Sequence, residues 1–317
     1  MEEKISKIIA LEEHFSVLKE NQNLTLNTLS EKLTDIGDKR IADMNEAGID
    51  IQVLSLSSPG TEQMEPEEAV KTAALVNDYI EEAIKRNPSR LAAFAALPTS
   101  APDRAADELE RAVKEYGFKG AVINGHCRGR YLDDKFFWPI LERAELLNVP
   151  LYIHPTVPPK PVVDTYYKGQ FSNDVMFSLS TAGWGWHIET AVHVLRLILS
   201  GAFDRYPKLQ IIVGHLGEAI PFMMNRLDKM LPENLTGLEK NISSYLCENV
   251  NYTISGFNFV PPFLNLLLQV GIERIMFSSD YPYSSMSDAR SFLESLPLSK
   301  NDKEKIAHMN AERLMKF

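Results

Sequence analysis

Cysteine is nearly absent. Only Cys127 and Cys247 occur, in no Cys-x-x-Cys pattern, which excludes a disulfide framework and fits a reducing, cytoplasmic setting. Basic blocks are missing too. Acids outnumber bases 43 to 33, for a formal charge of −10, so neither nucleic acid nor an anionic membrane surface is the expected partner. Long apolar runs are also lacking. No stretch approaches the roughly 18 uninterrupted apolar residues of a membrane span. The first apolar run stops at Glu12, too short for a signal peptide. There is no low-complexity tract and no sequence repeat. What is present is a chain of 317 residues, 44% hydrophobic, enough for a sizeable core within one large domain.

Two periodicities alternate along that chain. Short apolar runs over 8–15, 49–56, 91–97, 119–124, 149–154, 209–215, 252–255 and 274–280 read as strands. Most are almost continuously apolar, as parallel strands covered on both faces are. Helical spacing fills the intervals, over 38–48, 66–87, 102–116, 136–147, 187–200, 218–230, 260–270, 288–295 and 301–316. Gly48 and Gly117 stand where helices stop. Residues 16–35 read as a loop or short helix. Residues 155–185 read as the longest irregular stretch, with Val157-Pro158-Pro159-Lys160-Pro161 at one end and Gly183-Trp184-Gly185-Trp186 at the other. Loops of that length are usually functional. Eight strands alternating with helices in about 300 residues predict an α/β fold, a (β/α)8 TIM barrel formed by a single domain over 1–317.

In such a barrel the strand ends form the catalytic face. Side chains alternate along a strand, so Glu12 and His14 share a face and Glu13 takes the other. His154 ends the fifth strand, His215 the sixth and Asp280 the eighth. Three of the seven histidines therefore meet at one face with two carboxylates, a donor set suited to a divalent metal. His215 reads as a fifth ligand or a proton carrier, and Glu218 follows it by three residues and reaches it if the chain turns into a helix at Gly217. A carboxylate there fixes the imidazole tautomer and raises its basicity; as a first-turn helix residue it also gains from the dipole. His126 falls near the predicted mouth, and the lone Cys127 beside it takes no role.

Several of these segments together resemble a known family: Leu11-Glu12-Glu13-His14-Phe15, Tyr152-Ile153-His154-Pro155, Gly214-His215-Leu216-Gly217-Glu218 and Phe277-Ser278-Ser279-Asp280-Tyr281-Pro282. They are similar to the amidohydrolase-related decarboxylases of aromatic acids, among them the γ-resorcylate and 2,3-dihydroxybenzoate decarboxylases and, more distantly, aminocarboxymuconate semialdehyde decarboxylase. Phe94-Ala95-Ala96-Leu97-Pro98 and the pair Asn310-Ala311 extend the likeness over nearly the whole chain. The resemblance implies non-oxidative decarboxylation of a small hydroxylated aromatic or related unsaturated carboxylic acid. It implies one divalent ion, Zn²⁺ or Mn²⁺, on Glu12, His14, His154 and Asp280, and catalytic roles for Asp280, His215 and Glu218. It places Asn124, Trp184, Arg226 and Tyr283 against the substrate, with Phe257 and Tyr281 beside them. It also implies a homodimer or homotetramer in which Arg226 reaches a neighbouring subunit's site.

The superfamily's hydrolases commonly carry His-x-His on the first strand, with a bridging lysine and two metals. Here Glu12 takes the first position, and Lys119 opens the fourth strand rather than ending it, so a mononuclear site is expected. Thr156-Val157-Pro158 and Tyr283-Ser284 stand where close relatives carry Arg-Asn-Pro and Phe-Glu. Those departures lie beside the pocket and leave the identity of the acid open. Hydrolysis of an ester, lactone or amide on the same barrel is the alternative, with Asp280 or His215 as base. A non-catalytic metal-binding scaffold is a third.

Overall fold

In the computed structural model, which describes residues 5–17 and 24–317, eight strands stand in a ring. They are β1 (Ile9–Phe15), β2 (Ile51–Leu56), β3 in two pieces (Leu91–Ala93 and Ala95–Ala96), β4 (Ala121–Asn124), β5 (Leu151–His154), β6 (Ile211–Val213), β7 (Val250–Thr253) and β8 (Ile275–Met276). All neighbours pair in parallel. The break in β3 falls at Phe94, whose N–H donates to Leu54 O at 3.0 Å, while Ala95 N–H turns to Gly120 O at 2.9 Å. The ring closes where Leu11 bridges Ser278 in parallel, with Leu11 N–H on Phe277 O at 3.1 Å. This is a (β/α)8 barrel.

Alternation of side chains sorts the strands into two cores. Ile9, Leu11, Val53, Val122, Tyr152, Ile212 and Met276 fill the barrel, and Ala311 and Met315 from the last helix pack against them. Their neighbours Ala10, Leu54, Ile123, Ile153, Ile211, Val213 and Ile275 point outwards to the helices. The same two-residue period should send Glu12 and His14 outwards with Ala10. A register shift between Ala10 and Glu13 reverses this. Glu12 adopts φ +60°, and from there on Glu12 and His14 face the barrel axis while Glu13 faces out. A bulge is the usual device for re-aiming side chains beside a site.

Glu13 then closes the barrel. Its carboxyl accepts from Ser279 N–H at 2.9 Å and Ser279 Oγ at 2.6 Å, and from Gln52 Nε2 at 3.2 Å, so one side chain ties β1 to β2 and to the segment after β8. Ser278 Oγ donates to Leu11 O in the same seam.

Most helices fall where the spacing places them. Gly48 and Gly117 cap theirs in the left-handed conformation, which costs glycine nothing. Three differences matter for the site. Residues 155–185 are not irregular: they hold the short helix Lys160–Val162, a π-helical turn Val163–Tyr167 and the helix Asn173–Ser180. The following helix is Gly185–Leu199. The expected helix from 218 begins only at Ile220, because Glu218 and Ala219 are both left-handed, at φ 54° and 65°. Glu218 therefore precedes the first helical turn and is not the helix residue the spacing predicted. Of the segment 16–35, residues 24–34 form the helix Leu24–Thr34, and 18–23 lie outside the described residues.

Candidate active site

Glu12, His14, His154, His215 and Asp280 converge above Tyr152 in the barrel mouth. His154 Nε2 lies 3.3 Å from Glu12 Oε1, and His14 Nε2 lies 3.2 Å from Asp280 Oδ1. His215 Nε2 is 3.9 Å from Glu12 Oε1 and 4.0 Å from Asp280 Oδ2. Glu12 and His14 are fully buried, His154 and His215 nearly so. Four polar atoms of these residues, Glu12 Oε1, both ring nitrogens of His14 and His154 Nδ1, have no hydrogen-bond partner. Bare buried polar atoms cost on the order of 1–3 kcal/mol each, unless something else satisfies them. Ligands about 2.0–2.2 Å from a shared ion sit roughly 3–3.5 Å apart, and the two closest donor pairs have that spacing. The site fits a divalent cation.

Glu12 is held by its other oxygen. Tyr152 Oη donates to Glu12 Oε2, and Thr253 Oγ1, 2.9 Å from the Tyr152 oxygen, lies 3.4 Å from the same Glu12 oxygen. Gly214 makes room for this, since a Cβ there would stand 2.8 Å from Glu12 Oε2. The backbone is strained where the chemistry is. Glu12, His215, Glu218 and Asp280 all adopt positive φ, between 49° and 63°. Non-glycine residues rarely do so except where the surrounding structure imposes it at functional sites.

His215 and Glu218 pair without helical geometry. A left-handed turn over His215–Gly217 brings His215 Nδ1 to 2.8 Å from Glu218 Oε1. Burial alone would lower the His215 pKa, but the carboxylates of Glu218 and Glu12 outweigh it and raise it to about 10. At Glu218 burial opposes ionisation, and His215 together with a hydrogen bond from His187 brings the pKa below the usual carboxylate value. Burial, and then the charges of His14 and His215, hold His154 well below the usual imidazole range. It is a neutral donor.

A cavity of about 710 Å³ opens over the cluster, with His154, His215 and Asp280 at its floor. Tyr283 lines it, 5.4 Å ring to ring from His14, and so do Phe257 and His126. Of four other expected substrate contacts, three do not line it, and the fourth, Arg226, is expected at a neighbouring subunit's site. Trp184 is half exposed and outside the lining; Trp186, two residues on, is the indole in the wall. Arg226 is exposed on the helix Ile220–Met230. Tyr281 turns away, donating to Asp43 Oδ2 at 2.7 Å under the Arg40 guanidinium. Asn124 is buried and outside the lining, its N–H donating to Glu62 Oε1 at 3.0 Å.

That Glu62 carboxyl is fully buried, with Oε2 unpaired, and burial raises its pKa to about 7 against the Asn124 hydrogen bond. A folded pKa above the unfolded one gives stability that is full below pH 4.5 and lost as pH rises through about 7. The loss is on the order of 3 kcal/mol. Glu62→Gln should flatten that slope, as urea midpoints at pH 5 and pH 8 would show; an unchanged slope places the titration elsewhere.

Three participants escaped the sequence reading. Tyr152 was legible, because the two-residue period puts it on the face of His154. Trp186 and His187 were not, since the backbone turn at Trp184, φ −168° and ψ −54°, decides which of these neighbours enters the wall.

Comparison with known proteins places this arrangement. The amidohydrolase family profile matches residues 14–317. The γ-resorcylate decarboxylase of Polaromonas sp. is 37% identical, covering 98% of each chain. The crystal structure of a dihydroxybenzoic acid decarboxylase from Polaromonas sp., with bound manganese and the inhibitor 2-nitroresorcinol, superimposes with a TM-score of 0.90 at 35% identity, over 98% of this chain and 97% of that one. A 5-carboxyvanillate decarboxylase from Novosphingobium aromaticivorans, complexed with manganese, gives 0.90 at 33% identity over 98% and 96%. This chain belongs to the amidohydrolase family, in the branch that contains the γ-resorcylate decarboxylases.

Proposed function

We propose that the protein is a metal-dependent carboxy-lyase that removes CO₂ from a hydroxylated aromatic carboxylic acid without oxidation. The observation that carries this reading is the two-carboxylate, two-imidazole cluster at the cavity floor, set in a chain similar over its whole length to such decarboxylases. Glu12, His14, His154 and Asp280 would hold one ion, Mn²⁺ or Zn²⁺, since mixed oxygen and nitrogen donors suit both. When bound, the ion supplies a template and Lewis acid for the substrate carboxylate and its ortho oxygen.

The remaining steps belong to side chains. His215, protonated and locked by Glu218 at Nδ1, donates from Nε2 to the ortho oxygen. Asp280 delivers a proton to the ring carbon bearing the carboxylate. The bond from that carbon to the carboxylate then breaks, its electron pair restores the aromatic ring and CO₂ leaves. Asp280 recovers its proton from water. Tyr283, Phe257 and Trp186 give the ring an aromatic enclosure.

The test is CO₂ release by the Mn²⁺- or Zn²⁺-loaded protein across a panel of hydroxybenzoates, beside a panel of lactones and esters. Turnover of the acids is expected; turnover of lactones alone would move the reading to a hydrolase. Tyr152→Phe removes the hydroxyl that fixes Glu12, and metal affinity should fall 10- to 100-fold, roughly the effect of losing a group that orients a ligand. Competition with a chelator measures it, and an unchanged affinity would show that Thr253 suffices.

The assembly we propose is a homodimer or homotetramer. Phe222 and Met223 on the Arg226 helix lie exposed, as do Phe259 and Leu268 at the uncharged helix Val260–Val270, a surface a second copy would cover. Light scattering on the eluted protein decides it. A cytoplasmic location accords with two unpaired cysteines, and no helix among the described residues is long and apolar enough to cross a membrane.

A further inference from the structure

Glu218 has a second imidazole. His187 Nδ1 lies 2.5 Å from Glu218 Oε2, while His215 Nδ1 takes Oε1. The other nitrogen of His187, Nε2, lies 3.0 Å from the carbonyl oxygen of Ala182. Its ring packs 4.9 Å from that of His215 and 5.0 Å from that of Phe257, and its edge lines the cavity. Glu218 is fully buried, and neither of its oxygens is left to water or to a backbone N–H: one imidazole occupies each.

That arrangement has a mechanical consequence. A carboxylate held by one oxygen turns about its last side-chain torsion, a broad two-fold rotation. Held at both oxygens, it stays in the plane that meets His215. Glu218 has little else to hold it there, because it lies in a left-handed stretch outside any helix. We propose that His187 is a positioning residue of the decarboxylation site, clamping Glu218 so that His215 keeps the orientation its role requires. The inference rests on the roles given above to His215 and Glu218. His187 makes no bond to substrate in this arrangement, since both of its nitrogens are engaged.

A structural alternative uses the same residue differently. Through Nε2, His187 tethers the cavity wall at Ala182, and its importance would then lie in holding that wall. Two substitutions separate the alternatives. The amide nitrogen of His187→Asn falls near the place of Nδ1 and keeps a donor on Glu218 while releasing Ala182. That of His187→Gln falls near Nε2, keeps Ala182 and releases Glu218. If His187 positions Glu218, His187→Asn retains kcat within about threefold, while His187→Gln and His187→Ala lose about tenfold or more in kcat at little changed KM. The reverse order, with Gln rescuing and Asn failing, or a loss confined to KM, would overturn the proposal and assign His187 to the wall.

A second readout does not depend on turnover. In protein labelled with ¹⁵N-histidine, two strongly downfield imidazole N–H protons are expected, one for each histidine on Glu218. Glu218→Gln should move both, and His187→Ala should abolish one and shift the other. A His215 resonance indifferent to His187→Ala would sink the inference even if the protein turned over none of the acids tested. Failure of every acid beside an intact pair of resonances would count against the proposed reaction alone.

Discussion

Replacing Asp280 with asparagine should lower CO₂ release by roughly 10²- to 10⁴-fold, the range general acid catalysis contributes, with no loss of thermal stability. Asparagine keeps the shape of the side chain and an oxygen toward the ion, but it has no proton to give. Asp280 is well placed to deliver one, since it lines the cavity and is the least buried of the five clustered groups, with its side chain 16% exposed. Gly256 leaves space beside it: a Cβ there would stand 3.1 Å from Asp280 Oδ2. The measurement is single-turnover CO₂ release with metal content and melting temperature taken on the same sample. Activity within tenfold of wild type, at full metal occupancy, would hand the proton to another group. A collapse in stability would make Asp280 a structural residue and revive the scaffold alternative.

Glu13→Ala should cost more stability than any change at the cavity, about 3–5 kcal/mol, because it leaves two buried Ser279 donors and Gln52 without their acceptor. Burial raises the Glu13 pKa to about 8 despite the Ser279 hydrogen bonds, so the group is largely a neutral acid at neutral pH. Glu13→Gln, neutral and of the same shape, should therefore cost about 1 kcal/mol or less. Urea unfolding of the three proteins at pH 7 makes the comparison. Equal losses in both variants would mean that an ionised carboxylate with two acceptor oxygens, and not a neutral side chain of the same shape, holds the barrel closed.

The barrel was legible because parallel strands covered on both faces leave a plain mark: eight apolar runs spaced by helical segments. The histidines and Asp280 were legible for a related reason, as each follows such a run. What was not legible depends on backbone that no periodicity encodes. A regular β1 puts Glu12 and His14 on a common face, and the structure agrees, but only the bulge turns that face inwards. Glu218 reaches His215 through left-handed residues rather than a helix. Trp184 is the indole expected in the wall, and the backbone turn there puts Trp186 in the wall instead. Asn124 ends its strand as expected, yet Glu62 comes in from the loop after β2 and lies against its backbone, a long-range contact with no local signature.

The seam between Leu11 and Ser278 also governs the order in which the molecule can become functional. The donors on β1 and the one after β8 are 268 positions apart, as Glu12 and Asp280, and they meet only across that closure. A nascent chain emerging from the ribosome holds Glu12 and His14 early but lacks Asp280 until almost the whole sequence is made. With the ligands proposed above, the full set of four is thereby deferred to completion of the ring. On that proposal the ion would act as a late latch on a finished barrel, and a fragment ending short of β8 would lack both Asp280 and the strand that precedes it.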